Sequence, residues 1–85
     1  MKPDHHIIAE IIEERAHVLD LGCGEGELLD FLRRRKKAQV QGIELDEDQM
    51  HICVEKGLTV LQGDIESGLE DYPDQSFDYV ILNQI

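Results

Sequence analysis

Cysteine is scarce in this chain. Cys23 and Cys53 are its two thiols, and they show no CxxC spacing, so neither a disulfide framework nor a zinc site is expected. Basic residues are also few, with 8 Lys and Arg against 19 Asp and Glu and a formal net charge of −11. That balance excludes a nucleic-acid backbone as partner, since neutralising phosphates takes clustered Lys and Arg. No apolar run approaches the roughly 18 to 20 residues of a membrane span, and no signal peptide opens the chain. A cytoplasmic protein without membrane contact is the expectation. Repeats, low-complexity tracts and linkers are absent too. What remains is an ordinary globular composition, 41% hydrophobic and 32% charged over 85 residues. A single domain is the most such a length supports, burying only about 60 to 65% of its unfolded surface.

The pattern of apolar residues predicts alternating helices and strands. Asp4 stands as an N-cap before a helix whose face is Ile7, Ile8, Ile11 and Ile12. "HVLDLG" reads as a strand, and Glu25 to Arg35 as a helix with Leu28, Leu29 and Leu32 inward. "AQVQGIEL" is a second strand ending at an acid. Asp46 and Gln49 then stand at capping-box spacing, and Gly57 supplies the helix stop. "LTVLQGD" is a third strand and "FDYVILNQI" a fourth, joined by the polar stretch "IESGLEDYPDQS". This alternation indicates an α/β fold with a parallel sheet and right-handed crossovers.

The fourth strand, "YVILN", is nearly continuous apolar sequence, the pattern of a strand covered on both faces. Nothing after Ile85 pairs its far edge, and an open apolar edge invites association. Residues 1–85 are therefore expected to be the N-terminal part of a larger α/β domain, with self-association through the fourth-strand edge as the alternative.

The chemistry concentrates at the carboxyl ends of the strands, where open α/β sheets bind ligands. The turn after the first strand is Gly22-Cys23-Gly24-Glu25-Gly26. A dinucleotide fingerprint requires G-x-G-x-x-G, and here position 27 is Glu, so the last glycine arrives one residue early. Glu25 and Glu27 would also compete with a phosphate at the helix N-terminus. A nucleoside without phosphate suits the turn better. Glu44 follows Gly24 by about 20 residues, the spacing at which an acid after the second strand accepts hydrogen bonds from ribose hydroxyls. Asp64 lies one strand further out, placed to accept from an adenine amine, with Leu45 and Ile65 against the ring. Gly22 and Gly24 let the backbone approach the ligand's other end. Together these features describe a pocket for S-adenosylmethionine (SAM). The plainer readings stay open: a tight connection without ligand, Asp20 accepting amide bonds from the turn, and Asp64 and Asn83 as ordinary turn residues.

"VLDLGCGEGELL", "GIELDEDQ" and "GLTVLQGDIESGLEDYPDQSFDYVILNQ" resemble the class I SAM-dependent methyltransferase superfamily and, within it, the MetW family of methionine biosynthesis proteins. The glycine turn is common to the superfamily, whereas the long third segment is specific to MetW. The resemblance implies a Rossmann-like parallel sheet of the SAM methyltransferase type, about four strands with flanking helices, and S-adenosylmethionine or S-adenosylhomocysteine as ligand. It implies that Asp20, Gly22, Gly24 and Gly26 hold the methionine end, Glu44 the ribose and Asp64 the adenine side, with Asn83 bordering the amino-acid portion. Homoserine O-acyltransferase is the partner it implies, with the chain as accessory. Small-molecule methyl transfer and a non-catalytic interaction domain are the rivals. Autonomous catalysis is not expected of a chain ending at "NQI", and no catalytic residue is identifiable.

The other conspicuous residues have ordinary explanations. Adjacent His5 and His6 do not face each other on a helix, so no metal site is expected there. Cys23 reads as a small residue tolerated in a tight turn and Cys53 as core. "RRRKK", Arg33 to Lys37, gathers where a helix dipole favours cations. The acidic loop carries Leu69 and Tyr72, which would suit a docking segment.

Overall fold

A computed structural model describes residues 5–64 and 76–83, and the alternation read from the sequence is present there. Helix α1 spans His5–Ile11, strand β1 His17–Leu21, helix α2 Glu27–Lys36 and strand β2 Gln39–Glu44. Helix α3 spans Glu47–Glu55, strand β3 Thr59–Gln62 and strand β4 Tyr79–Leu82. Asp4, Ile65, Leu69 and Tyr72 lie outside the described residues. No helix among those described is long and apolar enough to cross a membrane.

The strands form one parallel sheet in the order β3-β2-β1-β4. Passing from β1 through α2 to β2, and on through α3 to β3, the chain moves steadily in one direction. Right-handed crossovers then place α2 and α3 on the same face. The chain returns past β1 to add β4 on its other side, so strand order reverses at β1. That reversal opens a crevice at the carboxyl ends of β1 and β4.

Alternation along each strand sorts the core into two layers. Val18, Val40 and Val60 join Leu28, Leu29, Leu32, Cys53 and Leu58 on the helical face, with Tyr79 and Ile81 packed beside them. Leu19, Leu21 and Ile43 make the opposite layer with Phe77. β1 is buried on both faces, as a central parallel strand should be. β4 is not: Tyr79 and Ile81 are half-buried, while Val80 and Leu82 are 51% and 66% exposed. Among the described residues, then, only the helical face of β4 is packed.

One helix boundary and one helix face also differ from the sequence reading. In α1, Ile8, Ala9 and Ile12 turn inward, while Ile7 and Ile11 are exposed. Ile7 and Ile11 share one stripe and Ile8 and Ile12 the next, about 100° apart, and only the second meets the core. α2 begins at Glu27 rather than Glu25, because its N-cap Gly26 sits in the left-handed region and extends the turn. α3 starts as expected, with Asp46 accepting from the Gln49 amide at 3.0 Å. The reciprocal half of the capping box is replaced: the Asp46 amide donates to Glu44 Oε2 at 2.9 Å. Gly57, at φ 83°, ends α3. Arg33 donates to the carbonyls of Lys56 and Gly57 and pairs with Asp30, so part of the basic run caps a neighbouring helix.

Candidate ligand site at the glycine turn

Residues 22–26 leave β1 and double back under the carboxyl end of β2. The Gly22 and Cys23 amides both donate to Ile43 O, at 2.8 and 3.2 Å, and the Gly26 amide closes onto Cys23 O at 3.0 Å. Gly22, Gly24 and Gly26 all have positive φ, which L side chains adopt only with strain. At Gly26 the constraint is also steric. A Cβ there would lie 2.5 Å from Leu58 Cδ1 and 3.0 Å from Cys53 Sγ. The glycine spacing is thus a requirement of the bend and of what packs beneath it.

Glu44 faces this bend. It is 7% exposed, and its Oε1 accepts the Gly24 amide at 2.6 Å while Oε2 accepts the Asp46 amide. One carboxylate therefore ties the glycine turn to the start of α3. Each carboxylate oxygen has a further lone pair, so Glu44 retains capacity for hydroxyl donors.

Asp20 lies beside it, fully buried on the helical face of β1, with Gly42 and Ile81 as its cross-strand neighbours. Its Oδ2 accepts from Asn83 Nδ2 at 3.3 Å, and among the described residues Oδ1 has no hydrogen-bond partner. Burial pushes its carboxyl from 3.8 up to about 7, the Asn83 bond opposes that, and the charge of Glu44 adds to it. Asp20 does not collect amide bonds from the turn, because Gly22, Cys23, Gly24 and Gly26 donate elsewhere. Asn83 reaches Asp20 because its own amide extends the β4 ladder onto Leu21 O.

Asp20, Glu44, Asn83 and the glycine turn are therefore brought together. Leu45, 68% exposed, and the exposed Asp64 lie at the same end of the sheet, just beyond β2 and β3. The Gly63 amide carries the β3 ladder onto Glu44 O, which keeps Asp64 next in line after Glu44. Ile65 is among the residues not described.

Three contributors were missed by reading the sequence. Cys53 donates its thiol to Gly24 O at 3.1 Å, and Cys23 packs against Gly42, where a Cβ would stand 2.6 Å from Cys23 Sγ. Lys56 Nζ holds Glu25 O at 2.9 Å. A glycine within a strand marks close approach of another chain segment, and that signal was available at Gly42. Burial pushes both thiols upward, so neither is a ready nucleophile despite the adjacent helix N-terminus. A cavity of about 330 Å³ lies at the opposite, amino end of the strands, lined in part by His17, Arg33, Gln39 and Thr59. Its guanidinium is already spent on Asp30 and two carbonyls, leaving the chemistry at the carboxyl end.

Residues 2–85 match the family model described as methionine biosynthesis protein MetW. The chain is 36% identical over 88 residues to a bifunctional methionine biosynthesis protein MetXA/MetW of Rhodopirellula baltica, covering 94% of this chain and 14% of that protein. It is 32% identical over 82 residues to a fatty-acid O-methyltransferase of Mycolicibacterium smegmatis, covering 91% and 29%. Among solved structures, a SAM-dependent methyltransferase from Archaeoglobus fulgidus superposes with a TM-score of 0.72 at 25% identity, covering 91% of this chain and 37% of that one. The sheet is thus the Rossmann-like type of the SAM methyltransferases, and the chain spans well under half the length of these relatives.

Proposed function

We propose, because this chain belongs to the MetW family of methionine biosynthesis proteins, that it supplies the SAM-binding part of an accessory to homoserine O-acylation. The observation that carries the ligand reading is the convergence of buried Asp20 and Glu44 on the glycine turn. Glu44 takes the ribose hydroxyls on its remaining lone pairs, and Gly22, Gly24 and Gly26 bring backbone against the methionine end. Asp20 and Asn83 face the amino-acid portion, and Asp64, Leu45 and Ile65 border the adenine. Buried carboxylates favour a cationic ligand, and SAM carries both an ammonium and a sulfonium. Ligand and proton compete for Asp20, whose carboxyl titrates about 7. The methyltransferase fold of the solved relatives supports the same ligand class.

The acyltransferase partnership draws support from the fused MetXA/MetW relative, in which the two names share one polypeptide. A second reading, methyl transfer to a small molecule, is favoured by the fatty-acid O-methyltransferase relative. Calorimetric titration of the full polypeptide with SAM tests the ligand: heat saturating below millimolar concentration is expected, and none would overturn it. Mixing the full polypeptide with a homoserine O-acyltransferase tests the role. Association that raises acylation is expected, whereas methyl transfer without association would establish the second reading.

A further inference from the structure

We propose that Cys53 is a positioning residue for the ligand, holding the Gly24–Glu25 peptide so that the Glu25 N–H points into the crevice. The proposal rests on the ligand reading above and adds to it a donor and the residue that aims it. A trans peptide is planar, and its C=O and N–H point in opposite directions. Cys53 Sγ binds Gly24 O from beneath the turn, and Cys23 Sγ lies 4.0 Å from the same oxygen. The amide of that peptide belongs to Glu25 and is therefore driven to the outer side.

The other amides of the turn are already committed. Gly22 and Cys23 donate to Ile43 O, Gly24 to Glu44, and Gly26 to Cys23 O, while Glu25 O accepts from Lys56. The Glu25 N–H has no acceptor among the described residues, and its residue is exposed. Asp20 Oδ1, fully buried near Glu44, is also unpartnered among the described residues. The carboxyl end of the sheet thus holds a buried acceptor and an exposed donor, both unpartnered among the described residues, and together they complement a zwitterionic α-amino acid group. Cys53 is fit for this task because it is itself fully buried and packed between Leu58 and the bend. An alanine in its place would fit but could not hold the carbonyl down.

The test uses the full polypeptide, with S-adenosylhomocysteine as the probe in calorimetry and in amide-resolved NMR. Cys53→Ala is expected to weaken binding about five- to tenfold, the loss of one hydrogen bond. Cys53→Ser is expected to bind within about twofold of the parent, because it restores the donor. A purely packing role predicts the reverse order, since a buried hydroxyl fits an apolar site worse than a methyl. Equal affinity in all forms, or Ser no better than Ala, overturns the proposal. In the unsubstituted protein the Glu25 amide should exchange rapidly without ligand and become protected by it. Saturating binding with no protection at Glu25 also overturns it, without needing any variant to fold. No heat from the unsubstituted protein sinks the ligand reading first and this inference with it, whereas binding indifferent to Cys53 sinks this inference alone.

Discussion

Replacing Asp20 by asparagine should make the protein more stable at neutral and alkaline pH while weakening its ligand. The carboxyl of Asp20 rises from 3.8 to about 7, chiefly because burial disfavours its charge. A folded state that holds the proton more tightly than the unfolded chain loses stability as pH climbs from about 4 to 7, and the loss then levels off. At about 1.4 kcal/mol per pH unit, the full penalty is about 4 kcal/mol. Relaxation and water entry reduce it, so about 2 to 4 kcal/mol is the expected gain for Asp20→Asn at pH 8. Asparagine keeps the size and still accepts from Asn83, so little change is expected at pH 4, where the native carboxyl is neutral. Urea denaturation of both forms, followed by circular dichroism at pH 4, 6 and 8, reads the difference directly. Other carboxylates titrate in both proteins and cancel. A variant no more stable than its parent at pH 8, or a gain equally large at pH 4, would refute the reasoning. The corresponding loss of SAM affinity is expected to be about tenfold or more, since a buried charge partner is removed.

Other expectations follow from the same geometry. Glu44→Gln leaves one of the two bound amides facing an NH₂ group and should cost about 1 to 3 kcal/mol in chemical denaturation, and SAM binding with it. Gly42→Ala places a methyl 2.6 Å from Cys23 Sγ and 2.9 Å from Leu29 Cδ1. A loss of about 1 to 3 kcal/mol is expected, seen as a lower thermal midpoint, and an unchanged melt would count against the packing described. Cys23 and Cys53 are buried, with thiols pushed upward. Their labelling by a thiol reagent at pH 8 should follow unfolding, and fast labelling of the folded chain would contradict that placement.

Much of the fold was legible because its signals are local. Apolar runs ending in acids, Asp46 three residues before Gln49, and Gly57 after the helix each report backbone behaviour within a few residues. They located the strands, the α3 cap and the α3 stop. The bend and the facing Glu44 were legible for the same reason: positive φ demands glycine, and the acid stands at a fixed distance along a βαβ unit. The inward arc of α1 was not legible, since two equally apolar stripes run along that helix and only the position of α2 selects between them.

By itself, then, the sequence determined the element order, the parallel sheet and the bend, because each depends on short-range sterics and hydrophobic period. Tertiary structure alone decided that Asp20 is buried with one oxygen unpartnered among the described residues, that Asn83 reaches it across 63 residues, and that Cys53 grips a carbonyl 29 residues away. Those facts depend on strand order. Placing β4 beside β1 rather than beside β3 makes Asp20 an interior residue, and packing α3 against β3 and β2 sets a thiol beneath the turn. Desolvation and contact are properties of neighbours in space, which no local pattern records.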